Sequence, residues 1–247
     1  AQKIRLWSVI NRQNRTTRPD VPLAIDDKPV DSVISKGELR VLVEVSDKEP
    51  VAGTPPEDQQ YFAPWTTEDV KLFFKRYNAS KGELTFMGTC AAHSTDKMAM
   101  IVDQMKTMAR LPPGMWVVVY EEVKPNRVDV VQPQLTLKEA EMTSGDILIL
   151  QEMPENLPAA GVPPPLHPTP LDLFDYQLNR IDVRFRLLSQ PNKDVLKVEL
   201  SKKDTHDVIV AKLAAALPPT NGKPVDAKYI CLTSHNQMMN EPRPEPL

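Results

Sequence analysis

Val70-Lys71-Leu72-Phe73-Phe74-Lys75-Arg76-Tyr77 is an apolar and aromatic run closed by the turn residues Asn78 to Gly82. Glu83-Leu84-Thr85-Phe86-Met87-Gly88-Thr89 follows, so the two runs read as the strands of a hairpin. Then Met98, Ile101, Val102, Met105, Met108 and Ala109 recur at helical spacing and give one apolar face. Thr95 or Asp96 is placed to cap that helix, and Pro112-Pro113-Gly114 to stop it. Met115 to Tyr120 is a short valine-rich strand, and Asp146-Ile147-Leu148-Ile149-Leu150-Gln151 is a last strand entered through Thr143-Ser144-Gly145. Residues 66–152 therefore carry the order hairpin, helix, strand, turn, strand.

The same order recurs on either side. Asp182 to Ser189 and Val195 to Lys202 form a second hairpin across Gln190-Pro191-Asn192-Lys193. A helix through Val208, Val210, Ala211, Leu213, Ala214 and Leu217 follows, capped by Asp204 or Thr205 and stopped by Pro218-Pro219. Lys228 to Thr233 reads as the next strand, so a module over residues 171–247 lacks its last strand. Residues 1–49 show the converse, a strand from Ile4 to Val9 and a final strand from Leu39 to Val45. The post-helix strands begin near Ile4, Trp116 and Lys228, a spacing of 112 residues each time, which signals repeated domains rather than a solenoid. The fold class is α+β. One amphipathic helix covers each small sheet, in the element order of the ubiquitin-like β-grasp, an order other small α+β folds share. The reading is of tandem ubiquitin-like modules, one full and two truncated, and of the chain as a fragment.

Proline is the compositional anomaly, with 25 residues of 247, about twice the ordinary share. Seven of them fall in the 17 residues Pro154 to Pro170, which implies a semi-rigid spacer within residues 153–170. Leu171 to Asn179 reads as a short helix after it, and Pro50 to Pro64 as a looser linker. A formal net charge of −3 gives a nucleic-acid role no electrostatic support, and no apolar run approaches a membrane span. Cys90 and Cys231 are too far apart in sequence to suggest a disulfide framework or a zinc site, and free thiols fit the reducing nucleus and cytoplasm.

Residues able to carry chemistry are few. Cys90 with His93 lacks a third group to orient the base, so a buried inert thiol is the simpler reading. His167, His206 and His235 stand alone, without a second ligand at metal spacing. No catalytic set, metal or cofactor is expected. Arg12, Arg15 and Arg18 form a basic stretch that suits a solvated loop or ion pairs with acids near Asp26. The acidic group of the middle segment is the best candidate site. In an antiparallel pair the start of the last strand, Asp146, lies near the end of the post-helix strand, Glu121 and Glu122. Glu139 and Glu141 precede the same turn, and Lys124 and Lys138 offset part of the charge. On the residues alone, a solvated acidic face accounts for this group. Asp146 is expected at the end of a turn, outside the core.

Several phrases resemble one family: Arg5-Leu6-Trp7, Asn11-Arg12-Gln13-Asn14-Arg15-Thr16-Thr17-Arg18-Pro19, Tyr120-Glu121-Glu122-Val123-Lys124-Pro125-Asn126, Gly145-Asp146-Ile147-Leu148 and Asn179-Arg180-Ile181-Asp182-Val183-Arg184-Phe185. They are similar to the C-terminal region of the herpesvirus-associated ubiquitin-specific protease and its plant and fungal relatives. The resemblance covers nearly the whole chain. It implies the end of a first ubiquitin-like domain, a complete second and most of a third, together with the segment that binds a herpesvirus immediate-early protein. It further implies a parent cysteine protease that removes ubiquitin with a nucleophile upstream of these modules. In that family, acidic residues of the turn receive lysine-rich peptides of substrates and regulators. The matching positions here are Glu141 and Asp146, whereas Ala140 and Ser144 stand where carboxylates are expected.

Overall fold

The computed structural model describes residues 3–23, 40–55, 58–125, 127–153, 165–219, 223–236 and 241–246. The chain divides into two compact units, residues 1–174 and 175–247. Three strands open the first unit: β1 (Ile4–Asn11), β2 (Thr17–Pro22) and β3 (Val41–Val45), in the antiparallel order β2-β1-β3.

The hairpin β4 (Asp69–Asn78) and β5 (Glu83–His93) comes next. Helix α1 (Met98–Met108) follows, then β6 (Val117–Lys124), β7 (Arg127–Val130) and β8 (Ile147–Glu152). The five strands pair in the order β5-β4-β8-β6-β7. The last strand is inserted between the first and the third. It runs parallel to β4, with Phe73 opposite Ile147 and Tyr77 opposite Gln151, and antiparallel to β6. Hairpin, crossover helix and a central parallel pair of first and last strands make this sheet a β-grasp. The order β2-β1-β3 of the opening strands repeats the order β7-β6-β8, with antiparallel pairing in both.

The two faces of the sheet explain why β8 is apolar along its length. Met98, Ile101 and Met105 of α1 pack with Leu72, Phe74, Val119, Leu148 and Leu150 on one face. On the other, Tyr77, Tyr120 and Ile149 pack with Leu173 and Phe174, from the start of α2 (Pro170–Asn179). A strand buried on both sides reads as a continuous hydrophobic run. The spacer expected to extend to Pro170 is therefore docked at its end. Tyr77 donates its hydroxyl to the His167 carbonyl at 2.5 Å, and the Gln151 amide donates to the Pro168 carbonyl at 2.7 Å. Residues 154–164 lie outside the described part of the chain.

Helix α1 lacks the side-chain cap expected of Thr95 or Asp96. Asp96 instead accepts from the His93 amide at 2.8 Å, and the carbonyls of Leu135 and Pro133 satisfy the amides of Met98 and Ala99. The helix ends one turn before the prolines expected to stop it, because Arg110 adopts φ 56° and the Leu111 amide turns back to the Lys106 carbonyl.

In the second unit, β9 (Arg180–Arg186) and β10 (Asp194–Ser201) pair antiparallel, and α3 (His206–Ala216) buries Val210 and Leu213. Thr205 stands at the N-cap of α3 without a side-chain cap bond, and Asp204 accepts from the Ser201 amide at 2.8 Å. The strand expected over Lys228 to Thr233 is not formed. Ala227–Tyr229 is a 3₁₀ turn whose Lys228 amide donates to the Asp226 carboxylate at 3.1 Å. An aspartate that binds the amide two residues on competes with ladder bonding and wins here. The strands that follow are β11 (Thr233–Asn236) and β12 (Glu241–Pro246), paired with each other.

Candidate functional site

The acidic turn is built in two steps. Thr136 and Glu139 form a reciprocal cap. Glu139 accepts the Thr136 amide at 2.8 Å, and the Thr136 hydroxyl accepts the Glu139 amide at 3.2 Å. The backbone bond from Thr136 is the main influence holding the Glu139 carboxyl below its usual range, so it stays ionised. Glu141 closes this turn at φ 55°, with its side chain exposed and Met142 buried beside it.

The second step stitches Thr143–Asp146 to β4. The Gly145 amide donates to the Lys71 carbonyl at 2.7 Å, the Phe73 amide to the Asp146 carbonyl at 2.9 Å, and the Lys71 amide to the Ser144 hydroxyl at 3.1 Å. One oxygen of Asp146 accepts the Thr143 amide at 2.7 Å. Its other oxygen pairs with the Arg12 guanidinium, which also donates to the Ser144 carbonyl at 2.5 Å. Asp146 is only 6% exposed, so it is a buried structural carboxylate and not the peripheral turn-end group expected from the sequence.

Arg12 reaches this point because the β1–β2 loop folds on itself. Asn14 accepts the Thr16 amide at 3.0 Å, Arg15 adopts φ 67°, and the Asn14 amide group donates to the Val123 carbonyl at 3.1 Å. Pro19 then presses on Gly145, where an added Cβ would lie 2.5 Å from the Pro19 carbonyl oxygen. Arg18 donates to the Glu122 carbonyl at 3.3 Å and stands 3.9 Å from the Glu122 carboxylate, which also binds Lys75 at 2.6 Å. Burial lowers the Arg18 guanidinium from its usual value, and Glu122 is the largest opposing influence. The ion pairs of Arg12 and Arg18 are thus with Asp146 and Glu122; Asp26 lies outside the described residues.

Of the five acids singled out in the sequence, Glu121, Glu122 and Asp146 share one electrostatic neighbourhood, all three acting on Arg18. Glu121 is half-buried and its carboxyl is pushed up to about 7. Burial is the first cause, Asp146 and Asp129 add to it, and Arg12 and Arg127 oppose it. Glu139 is tied instead to Thr136 and feels Lys97. Lys71, Glu44 and Trp7 escaped the sequence reading. Buried Lys71 donates to Glu44 at 2.5 Å and lies 5.1 Å from the centre of the fully buried Trp7 ring. The Trp7 indole donates to Glu44 at 2.8 Å and meets Trp65 edge-on at 4.7 Å. This node and the Arg12 loop lock the first sheet to the second within one unit.

Cys90 lies in β5, paired with Leu72, and burial drives its thiol up to about 11. A nucleophilic cysteine needs the opposite displacement. His93 is occupied with the Thr95 hydroxyl at 2.8 Å.

The sequence model of the ICP0-binding domain of ubiquitin-specific protease 7 matches residues 4–247. The chain belongs to this family. Among its relatives are ubiquitin C-terminal hydrolases 12 and 13 of Arabidopsis thaliana, 29% and 28% identical over 98% of this chain. Ubiquitin carboxyl-terminal hydrolase 5 of Schizosaccharomyces pombe is 23% identical over 95% of it. The chain spans 21% of the length of each of these relatives. Among solved structures, the C-terminal ubiquitin-like domain of mouse tubulin-specific chaperone e aligns with 39% of this chain and 98% of its own, at 11% identity and TM-score 0.31. A de novo design based on ubiquitin aligns with 38% of this chain and 100% of its own, at 16% identity and TM-score 0.28.

Proposed function

We propose that this chain is a non-catalytic, protein-binding arm of a nuclear and cytoplasmic deubiquitinating cysteine protease. In this reading it is assembled from tandem ubiquitin-like modules, and the acidic turn of the complete module receives lysine-rich segments of substrates or regulators. The observation that carries the peptide reading is the seating of a guanidinium in that turn, where Asp146 and the Ser144 carbonyl together take Arg12. An arrangement that accepts one planar cation from the chain offers the same acceptors to a cation from elsewhere. Two exposed carboxylates, Glu139 and Glu141, precede that turn in the chain. The membership in a family described by its binding of another protein supports the same reading.

The energetics make such binding weak. Exposed ion pairs contribute about 0.2–1 kcal/mol each, and a micromolar complex needs roughly 8 kcal/mol. Backbone hydrogen bonds and the aliphatic stems of lysines on the sheet edge must supply the remainder. Calorimetric titration of a lysine-rich peptide into the wild type and Glu141→Lys tests the reading. Binding that weakens between about 50 and 300 mM salt, and weakens further on charge reversal, is expected. Equal affinities with no salt dependence would reduce the edge to a solvated face.

A further inference from the structure

We propose that the β1–β2 loop is an intramolecular competitor for the acidic turn, with Arg12 as a latch that an incoming basic peptide must displace. The proposal rests on the peptide reading above and adds to it a means of regulating the same site. Three observations in the first unit carry it. Arg12 takes one carboxylate oxygen of Asp146 and the Ser144 carbonyl, so two acceptors of the turn are already used. The loop that delivers it is braced by the Asn14 turn and its bond to Val123, and the absence of a Cβ at Gly145 lets Pro19 close over the turn. The closed arrangement is also imperfect: Arg18 Nε is buried without an acceptor among the described residues. A buried donor left unmade opposes closure. A latch whose own bonds are specific but whose closure leaves the neighbouring Arg18 donor unmet is poised to exchange.

The latch scales apparent affinity by the fraction of molecules in which it is open. Removing Arg12 should therefore tighten binding by about fivefold, the ratio expected when the ion pair of one partly exposed guanidinium with a buried carboxylate no longer competes. Arg12→Gln keeps donors for the Ser144 carbonyl while removing the charge, and serves where Arg12→Ala loosens the fold. The experiment titrates a synthetic lysine–serine repeat peptide into the full chain by calorimetry, for the wild type, both Arg12 variants, Asp146→Asn, and Arg12→Gln with Asp146→Asn. In parallel, NMR follows the Arg12 side-chain and Gly145 amide signals of the wild type.

The expected result is wild-type binding, tighter binding by the Arg12 variants, no gain when Asp146→Asn accompanies Arg12→Gln, and a shift of the Arg12 signal as peptide is added. Wild-type binding with equal or weaker binding by both Arg12 variants would overturn the latch and leave the peptide reading standing. A gain that survives Asp146→Asn would also overturn the latch. No binding by any form would overturn both.

Discussion

Replacing Glu121 by glutamine should stabilise the first unit at about pH 8 and do little at about pH 5. Half-buried in β6, the carboxyl is surrounded by Asp146 and Asp129 on one side of the balance and by Arg12 and Arg127 on the other. Burial dominates and holds the proton up to about 7, against an ordinary 4.5. Between those values the folded chain binds more protons than the unfolded one, so this group's contribution falls as pH rises and levels off above about 7. The full displacement would correspond to roughly 3 kcal/mol. A half-exposed group is screened by solvent, which leaves about 1.5 kcal/mol. Glutamine keeps the shape and abolishes the charge. Urea unfolding followed by tryptophan fluorescence is the assay, because Trp7, Trp65 and Trp116 all lie in the unit that contains Glu121. The quantity of interest is the stability difference between variant and wild type at the two pH values, in which the other carboxylates cancel. The same difference at both, or a less stable variant at about pH 8, would refute the burial argument.

Two further outcomes follow from local geometry. Gly145→Ala should cost about 2 kcal/mol, since φ is +92° and the new Cβ would meet the Pro19 carbonyl, and hydrogen exchange should quicken in β1 and β2; a loss below about 0.5 kcal/mol would show that the loop is not pressed on the turn. With its thiol driven up to about 11 by burial, Cys90 should be alkylated at least about tenfold more slowly than exposed Cys231 near pH 8, and peptide mass mapping that found similar rates would contradict the inert reading.

What the sequence reveals and what it hides divide along physical lines. The β4–β5 hairpin, α1 and β8 are legible because each carries a complete local signal, a turn between apolar runs or a helical period. Strand β2, Thr-Arg-Pro-Asp-Val-Pro, is hidden because its two prolines argue for a loop; it forms as an edge strand, where a missing ladder donor is tolerated. Strand β7 is only four residues long and charged at alternate positions. The stretch before β11 misleads in the other direction, its apolar run being broken by the Asp226 turn. At the candidate site the acids are visible but their partners are not. Arg12 and Arg18 find Asp146 and Glu122 more than 100 residues away, a pairing only the assembled fold creates. Lys71 gives no sign in sequence that a strand lysine faces a buried tryptophan.

The charge distribution fits the weak, exchangeable binding proposed for this edge. At the end of β6 and in the turn, Glu121, Glu122 and Asp146 stand against Arg12, Arg18 and Lys75, so the local field is largely cancelled at close range. Glu139 keeps its charge through bonds to neutral Thr136 groups, and Glu141 projects into solvent, so neither depends on that balance. On the proposed reading, these two acids set the long-range attraction for a basic peptide and hence how fast it arrives. Capture at Asp146 is then an exchange of one cation for another at a buried carboxylate. The hydrogen bonds lost to Arg12 nearly equal those gained by the newcomer, so net affinity stays low. Discrimination stays high, because a neutral or acidic segment would leave the Asp146 carboxylate buried and unpaired once Arg12 had been displaced.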